Sequence, residues 1–564
     1  MPDIYLSDLS LAQPASAFAR ANTPGHWRLV DYETEDGLKG VMALASPDLG
    51  AGEITLPLNL SGPHDIYLGV NYSKPFFGDP MGHTEWSTYG DLEVKLTKDF
   101  GYTRIAAEQL VGFDKGPGRL GKGKYIPRTI QETYWKTADL SGQALHLRPP
   151  IPPYWSGISN LSFVRLVPLD AAGVARWQRR QPRPDTRSIG YIYCPGQISG
   201  HINGRNFFHP TDRDWFRHEI LPALDNDCAV FNVEAIRGQF TIHPSKIADI
   251  GAPGNQWPAE WVDPVAAFTE LAHDHGLKMF VALRMIGAGY PMAMGPIDQV
   301  RFFWEHQEWA KRDKEGNPTT SFSIAYPEVR AYWLSLLREA QENYDLDGLT
   351  LYFHRFKPFV LYEPPVVRAF QAKYGEDPRT LPEDDPRWIE HTASYTTDFV
   401  REVRQLVREK PGRELAVTFY GYPSRYDQGK TFDPINYTCD VDTWLREGLV
   451  DYLWPVQGFI PELIQRWRSL SSSVRIWPDL MPRTQPGEDF ARLAQQAYAA
   501  GADGFILNDS ERRAPHISEW AVESRLGHRE LLDEFITEAP GYYRRRLIKT
   551  LNGFATRYSY NNFG

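Results

Sequence analysis

The sequence predicts a multidomain chain, an N-terminal all-β sandwich of jelly-roll type followed by a (β/α)8 TIM barrel. Three observations predict it. The chain has 564 residues, more than one ordinary domain holds. Up to about residue 170 it carries short runs of β-formers separated by Gly, Pro, Asp and Asn, with almost no helical periodicity. From residue 188 onward, short apolar runs alternate with longer amphipathic stretches, the texture of βα units on parallel strands.

In the first region, runs such as Gly40–Leu44, Ile54–Leu58, Asp65–Val70, Leu92–Leu96, Ile130–Trp135 and Leu161–Leu166 read as half-buried strands, several alternating apolar with polar. Many short strands with turn signals between them indicate a sandwich. Residues 171–187 are polar, basic and Pro-containing, and read as a linker. Eight strands are expected in the barrel, 188–515: Ile189–Cys194, Cys228–Glu234, Lys278–Met285, Leu349–Arg355, Leu415–Tyr420, Val450–Val456, Val474–Asp479 and Ala502–Asp509. Helical stretches lie at 262–276, 327–344, 389–409, 461–469 and 487–500. About 320 residues for eight βα units fits a closed barrel, with a doubly wound sheet as the alternative. Residues 516–564 read as a helical extension packing on the barrel, ending in an aromatic tail.

Composition narrows the function. With 61 basic and 71 acidic residues the net charge is -10, which gives no overall pull toward nucleic acid or an anionic membrane. Three cysteines cannot staple a disulfide scaffold. The N-terminus lacks the pattern of a secretory signal and no apolar run is long enough to span a bilayer, so the expected compartment is the cytoplasm. No HExxH, GxSxG, phosphate loop or CxxC is present, so no metal or cofactor is expected. Oligomeric state is open, a homo-oligomer included.

Barrel active sites sit at the C-terminal ends of the strands, and alternation sorts inward from outward side chains. On the second strand Asn232 and Glu234 share one face; Glu234 is either functional or held in a structural ion pair with Arg237 or Arg284. The third strand ends at Arg284, a residue suited to orienting a carboxylate or binding a sugar hydroxyl. On the fourth, Thr350, Tyr352 and His354 face the axis, and Leu349, Leu351 and Phe353 face the helices. Tyr420, Trp454 and Trp477 stand near strand tops, where flat rings stack on sugar faces or pack the core. Asp479 shares a face with Trp477 and is either functional or paired with Arg483. The eighth strand ends in Asp509 and Glu511, with Arg512 and Arg513 beside them.

Tyr326-Pro327-Glu328-Val329-Arg330, the helix to Tyr344, the strand from Asp345 to Arg355 and the segment Val366–Pro378 resemble the glycosyl-hydrolase-like family-ten-like barrel proteins, over about 55 residues. Those carry NPEVR, YDVDGIHLDYxR and F…RYGxDP patterns. The resemblance implies a carbohydrate-active barrel. It keeps the family's arginine as Arg355, places Tyr352 where the family has an acid, and fits Asp509 to the Asp of a Trp-Asp pair whose Trp is here Asn508. Asp479 lies where many barrel glycosidases carry a nucleophile. The stretch Ser159–Leu169 resembles the last strand of a galactose-binding-like jelly roll, which implies a carbohydrate-binding-module-like unit over residues 1–170.

The expected function is a glycoside hydrolase with a carbohydrate substrate. Asp479, Glu234 and Asp509 are its candidate acids. Asn232, Arg284, Tyr352, His354, Arg355, Tyr420, Trp454, Trp477 and Glu511 are its candidate substrate contacts. One carboxyl would protonate the leaving oxygen and another act as nucleophile or base. A non-catalytic carbohydrate-binding protein, and a sugar lyase or isomerase using Tyr352 and His354, are the alternatives.

Overall fold

The computed structural model describes residues 2–45, 50–72, 89–107, 129–149, 159–193, 212–238, 240–250, 257, 259–285, 301–353, 358–423, 432–480, 487–507 and 525–556. Two bodies of structure emerge, an antiparallel β region and a parallel barrel.

The barrel strands are β1 (Ile189–Tyr193), β2 (Cys228–Arg237), β3 (Lys278–Arg284), β4 (Gly348–Phe353), β5 (Glu414–Tyr420), β6 (Tyr452–Val456), β7 (Arg475–Ile476) and β8 (Phe505–Leu507). Each neighbouring pair from β1 to β7 is parallel, and β8 pairs parallel with β1. Closure between β7 and β8 rests on a parallel bridge from Asp479 to Ile506. Backbone bonds from Asp503 N–H to Ile476 (3.0 Å) and from Ile506 N–H to Pro478 (3.2 Å) support it. The sheet therefore closes on itself rather than fanning open.

Proline starts the helices that wrap it. Pro264–Asp274, Pro327–Asn343, Pro364–Tyr374, Pro386–Arg408 and Pro461–Leu470 all carry Pro in the first turn, where its missing N–H would have no partner anyway and its fixed φ suits the helix. Asp263 and Asp385 cap two of these helices by accepting backbone N–H groups. Outward strand residues, including Val233, Val281, Leu349, Leu351, Phe353, Val417 and Leu453, join the helices in the main core. Inward residues form a separate cluster of Ile192, Val230, Phe280, Tyr352, Ala416, Tyr452, Trp454, Val456, Trp477 and Ile506. Glycines make room for these rings. A Cβ at Gly190 would sit 2.4 Å from Ile506, and one at Gly348 would sit 2.5 Å from the Phe280 ring.

The base of the barrel is closed by charge. Glu414 pairs with Lys278 (2.6 Å) and Arg475, and the Arg475 guanidinium lies 3.8 Å from the Tyr452 ring centroid.

The antiparallel region has a large sheet in the order Ile4–Leu6, Phe163–Pro168, Pro63–Tyr72, Thr129–Asp139, Tyr543–Leu551, Trp27–Thr34, Lys39–Ala45, Ser159–Leu161. A second sheet runs Ile54–Pro57, Ala144–Arg148, Tyr89–Leu96, Thr103–Ala107. Leu29, Leu56, Leu68, Val94, Leu147 and Leu166, drawn from both sheets, share one core.

Two expectations are corrected here. The segment read as a linker contains a helix, Ala171–Arg179, capped by Asp170 through Gly173 N–H. The C-terminal segment is not a helical extension on the barrel alone. After the helix Leu532–Glu538 it becomes the strand Tyr543–Leu551, which pairs with Thr129–Asp139 on one side and Trp27–Thr34 on the other. Its three consecutive arginines, Arg544 to Arg546, masked a strand that is buried only in part. The aromatic tail beyond residue 556 lies outside the described residues.

Candidate functional site

The upper interior of the barrel gathers the polar side chains that alternation turns inward. Strand β2 holds the densest group, and a bulge explains it. Val233 pairs with Val281, but the next partners are Ile236 and Leu283, so β2 carries one extra residue. Ala235 and Ile236 both pack outward as a result. Glu234 and Arg237, three apart and on opposite faces in a regular strand, come to lie together. A bulge of this kind re-aims side chains and is common beside active sites.

Glu234 is fully buried. Its Oε2 accepts from Arg284 Nη1 at 2.7 Å and from Arg237 Nη2 at 3.4 Å. Both arginines are buried, and the Arg284 guanidinium lies 5.5 Å from the Tyr352 ring centroid. Thr350 donates to Asn232 Oδ1 at 2.7 Å, tying β4 to β2. Across the barrel, Trp454 and Trp477 lie nearly parallel, with centroids 6.5 Å apart and an interplanar angle of 15°. Tyr452 meets Trp477 edge-on at 5.0 Å. Asp479 continues the β7 ladder by its N–H bond to Pro455 (2.8 Å) and faces inward beside Ile506, fully buried.

Several buried polar atoms of this interior have no hydrogen-bond partner among the described residues: Asn232 Nδ2, Glu234 Oε1, Thr418 Oγ1, Trp454 Nε1 and Trp477 Nε1. Such groups are costly to desolvate and few in a folded protein. These five comprise three donors, one acceptor and one hydroxyl that does both.

The structure thus brings Asn232, Glu234, Arg284, Tyr352, Trp454, Trp477 and Asp479 into one barrel interior. Trp454 and Trp477 are packed among aromatic neighbours rather than displayed at the rim, because the interior aromatics Phe280 and Tyr452 take up their faces. Tyr420 lies half-buried beside Tyr437, ring centroids 6.2 Å apart, on the side of the outer core. His354, Arg355, Asp509 and Glu511 lie outside the described residues, as does Arg483. Among the described residues no group of His, Cys, Asp and Glu is arranged to hold a metal ion, and no helix is long and apolar enough to cross a membrane.

Sequence reasoning named Arg237 only as an ion-pair partner and missed Glu363 altogether. Glu363 precedes the helix Pro364–Tyr374, is fully buried, and accepts from Leu361 N–H at 2.9 Å. Nothing in a Glu before two prolines signals burial. Burial pushes its carboxyl up to about 7, and burial likewise lowers the nearby Lys311 amine to about 8. A carboxyl that binds its proton more tightly when folded contributes stability that is complete below its unfolded value near 4.5 and is lost as pH rises through about 7. Lys311 acts in the opposite direction only above about 8. Glu363→Gln is therefore expected to flatten the fall in stability between pH 4.5 and 7, by at most about 3 kcal/mol. Denaturation midpoints at pH 5 and pH 7.5 check this; equal falls in parent and variant would refute it.

No curated protein matches the chain. Solved structures similar to it include an α-L-fucosidase isoenzyme 2 from Paenibacillus thiaminolyticus, at 15% identity over 63% of this chain and 50% of that one, with a TM-score of 0.38. This chain thus spans half the length of that enzyme. An α-galactosidase from Lactobacillus brevis is similar at 11% identity over 96% of this chain and 71% of that one, TM-score 0.35. A maltogenic α-amylase, AmyB, from Thermotoga neapolitana is similar at 12% identity over 61% and 76%, TM-score 0.33. Residues 230–473, from strand β2 to the turn before β7, match the family described as Glycosyl hydrolase-like 10, the group that the strand-four segment resembles.

Proposed function

We propose that the barrel is a glycoside hydrolase that cleaves an oligo- or polysaccharide at the C-terminal ends of its strands. The observation that carries this reading is the set of buried polar atoms without a hydrogen-bond partner among the described residues, Asn232 Nδ2, Glu234 Oε1, Thr418 Oγ1 and the two indole N–H groups, in the same interior as two acids. A sugar ring offers hydroxyls that both donate and accept, which suits this mixture. Glu234 and Asp479 are the proposed carboxyl pair, with Asp509 as the third candidate. One protonates the glycosidic oxygen and the other supports the positive charge that develops on the anomeric carbon. The N-terminal sheets are proposed to form a jelly roll that contributes carbohydrate binding, and the cytoplasm is the proposed compartment.

The test is a panel of α- and β-linked oligosaccharides incubated with the full chain, with reducing ends measured. Release of sugar from at least one member is expected. Retention of a glycan without turnover would replace hydrolysis by carbohydrate binding. A second reading, a sugar lyase or isomerase, draws on the Arg284 guanidinium that lies 5.5 Å from the centroid of the buried Tyr352 ring. Unsaturated or isomerised products from the same panel would support it.

A further inference from the structure

We infer that Arg237 is a positioning residue that fixes Glu234 with one oxygen held and the other presented to the sugar. The inference rests on the glycosidase reading and assigns roles within it. The bulge in β2 is its physical basis. Without the extra residue, Arg237 would point away from Glu234; with it, Arg237 and Arg284 both reach Oε2 from the same side of the barrel. A carboxylate gripped by one guanidinium pivots about that contact. Two guanidiniums on one oxygen, donated from adjacent strands, fix the plane of the group. Oε1 is then the oxygen left for the ligand, and it is buried without a partner among the described residues.

This geometry sets which acid does what. A carboxylate accepting two charge-assisted bonds on Oε2 offers negative charge through Oε1, and that charge stabilises a cation forming at the anomeric carbon. Donating a proton to the leaving oxygen then falls to Asp479. Arg237 acts on the reaction through Glu234 and not on a reacting atom. The bulge is thus the structural device that converts a strand-end acid into an oriented anion.

The experiment compares the parent with Arg237→Met, Arg237→Lys and Glu234→Gln, using the glycan that the parent hydrolyses and, separately, a set of cationic iminosugars. Arg237→Met is expected to lower kcat about 10²-fold with KM changed less than about threefold, and Arg237→Lys to regain at least about tenfold of that loss. Iminosugar affinity should fall in Glu234→Gln and Arg237→Met and be kept in Arg237→Lys. Thermal midpoints of all variants accompany these measurements. Equal loss in the Lys and Met variants, tracking a fall in melting temperature, would overturn the proposal and leave the hydrolase reading intact. Iminosugar binding that follows this pattern in a parent without turnover would retire the hydrolase reading and keep the clamp. A parent that neither turns over glycans nor binds any iminosugar would overturn both.

Discussion

Asp479→Asn is expected to lower hydrolysis by about 10³-fold or more while the protein stays folded. The change is nearly isosteric. The backbone of residue 479, which bonds to Pro455 and bridges to Ile506, keeps its place in the ladder that closes the barrel. What disappears is the only ionisable group that the β7 end contributes to the described interior, where it is fully buried. In such low-dielectric surroundings a single carboxyl has far more leverage on a charged transition state than it would in water. Rates on a cleaved glycan, measured beside the denaturation midpoint, separate this outcome from unfolding. Glu234→Gln is the companion. If both variants lose turnover and each still binds sugar, the two acids act as a pair. Parental activity in Asp479→Asn would make Asp479 a structural acid and move the search to Asp509.

The inward and outward faces of the barrel were legible because alternation is a local property. Leu349, Leu351 and Phe353 pack against the helices, Tyr352 joins the interior cluster, and Thr350 reaches Asn232. Each position follows from a two-residue period read within one strand. The bulge in β2 was not legible, since it is defined by pairing with β3 rather than by composition. That is why Arg237 entered the sequence reading only as a neutralising partner. Regular strand β7 is two residues long, yet its extended course continues to Asp479, so the inward parity of Trp477 and Asp479 held despite the short ladder. Trp454 and Trp477 look alike in sequence whether they are rim platforms or interior packing; only their contacts with each other, Phe280 and Tyr452 decide it. The helix Trp215–Leu224 escaped notice because Pro222 sits inside it. Arg355 and Asp509, on which the resemblance bears directly, lie outside the described residues, as does His354.

The C-terminal strand Tyr543–Leu551 supplies the second large effect. Arg546→Ala is expected to destabilise the antiparallel region by about 3 kcal/mol, the scale of breaking a buried ion pair. Arg546 is buried, and its guanidinium bonds Glu132 (2.7 Å), Asp36 (2.6 Å) and the Tyr5 hydroxyl (2.9 Å). Glu132 is buried as well and, among the described residues, would keep Arg165, at 2.6 Å, against its charge. Pairing Arg546→Ala with Glu132→Gln should recover part of the loss, because the stranded carboxylate goes with it. A chain ending at Tyr542 should fare worse. It would strip the partner from Thr129–Asp139 on one side and from Trp27–Thr34 on the other, opening two unpaired edges in the middle of a sheet. It would also remove Ile548 from a core shared with Val30, Met42 and Phe163. Urea unfolding, followed by the fluorescence of Trp27 and Trp135 in the sheets, reads out both changes. Because the barrel's sequence lies between the N-terminal strands and the strand that completes their sheet, the truncated chain should lose the sheets' transition entirely. A truncated chain whose sheets unfold at the parental midpoint would show that the closing strand is dispensable and that the N-terminal region folds without the C-terminus.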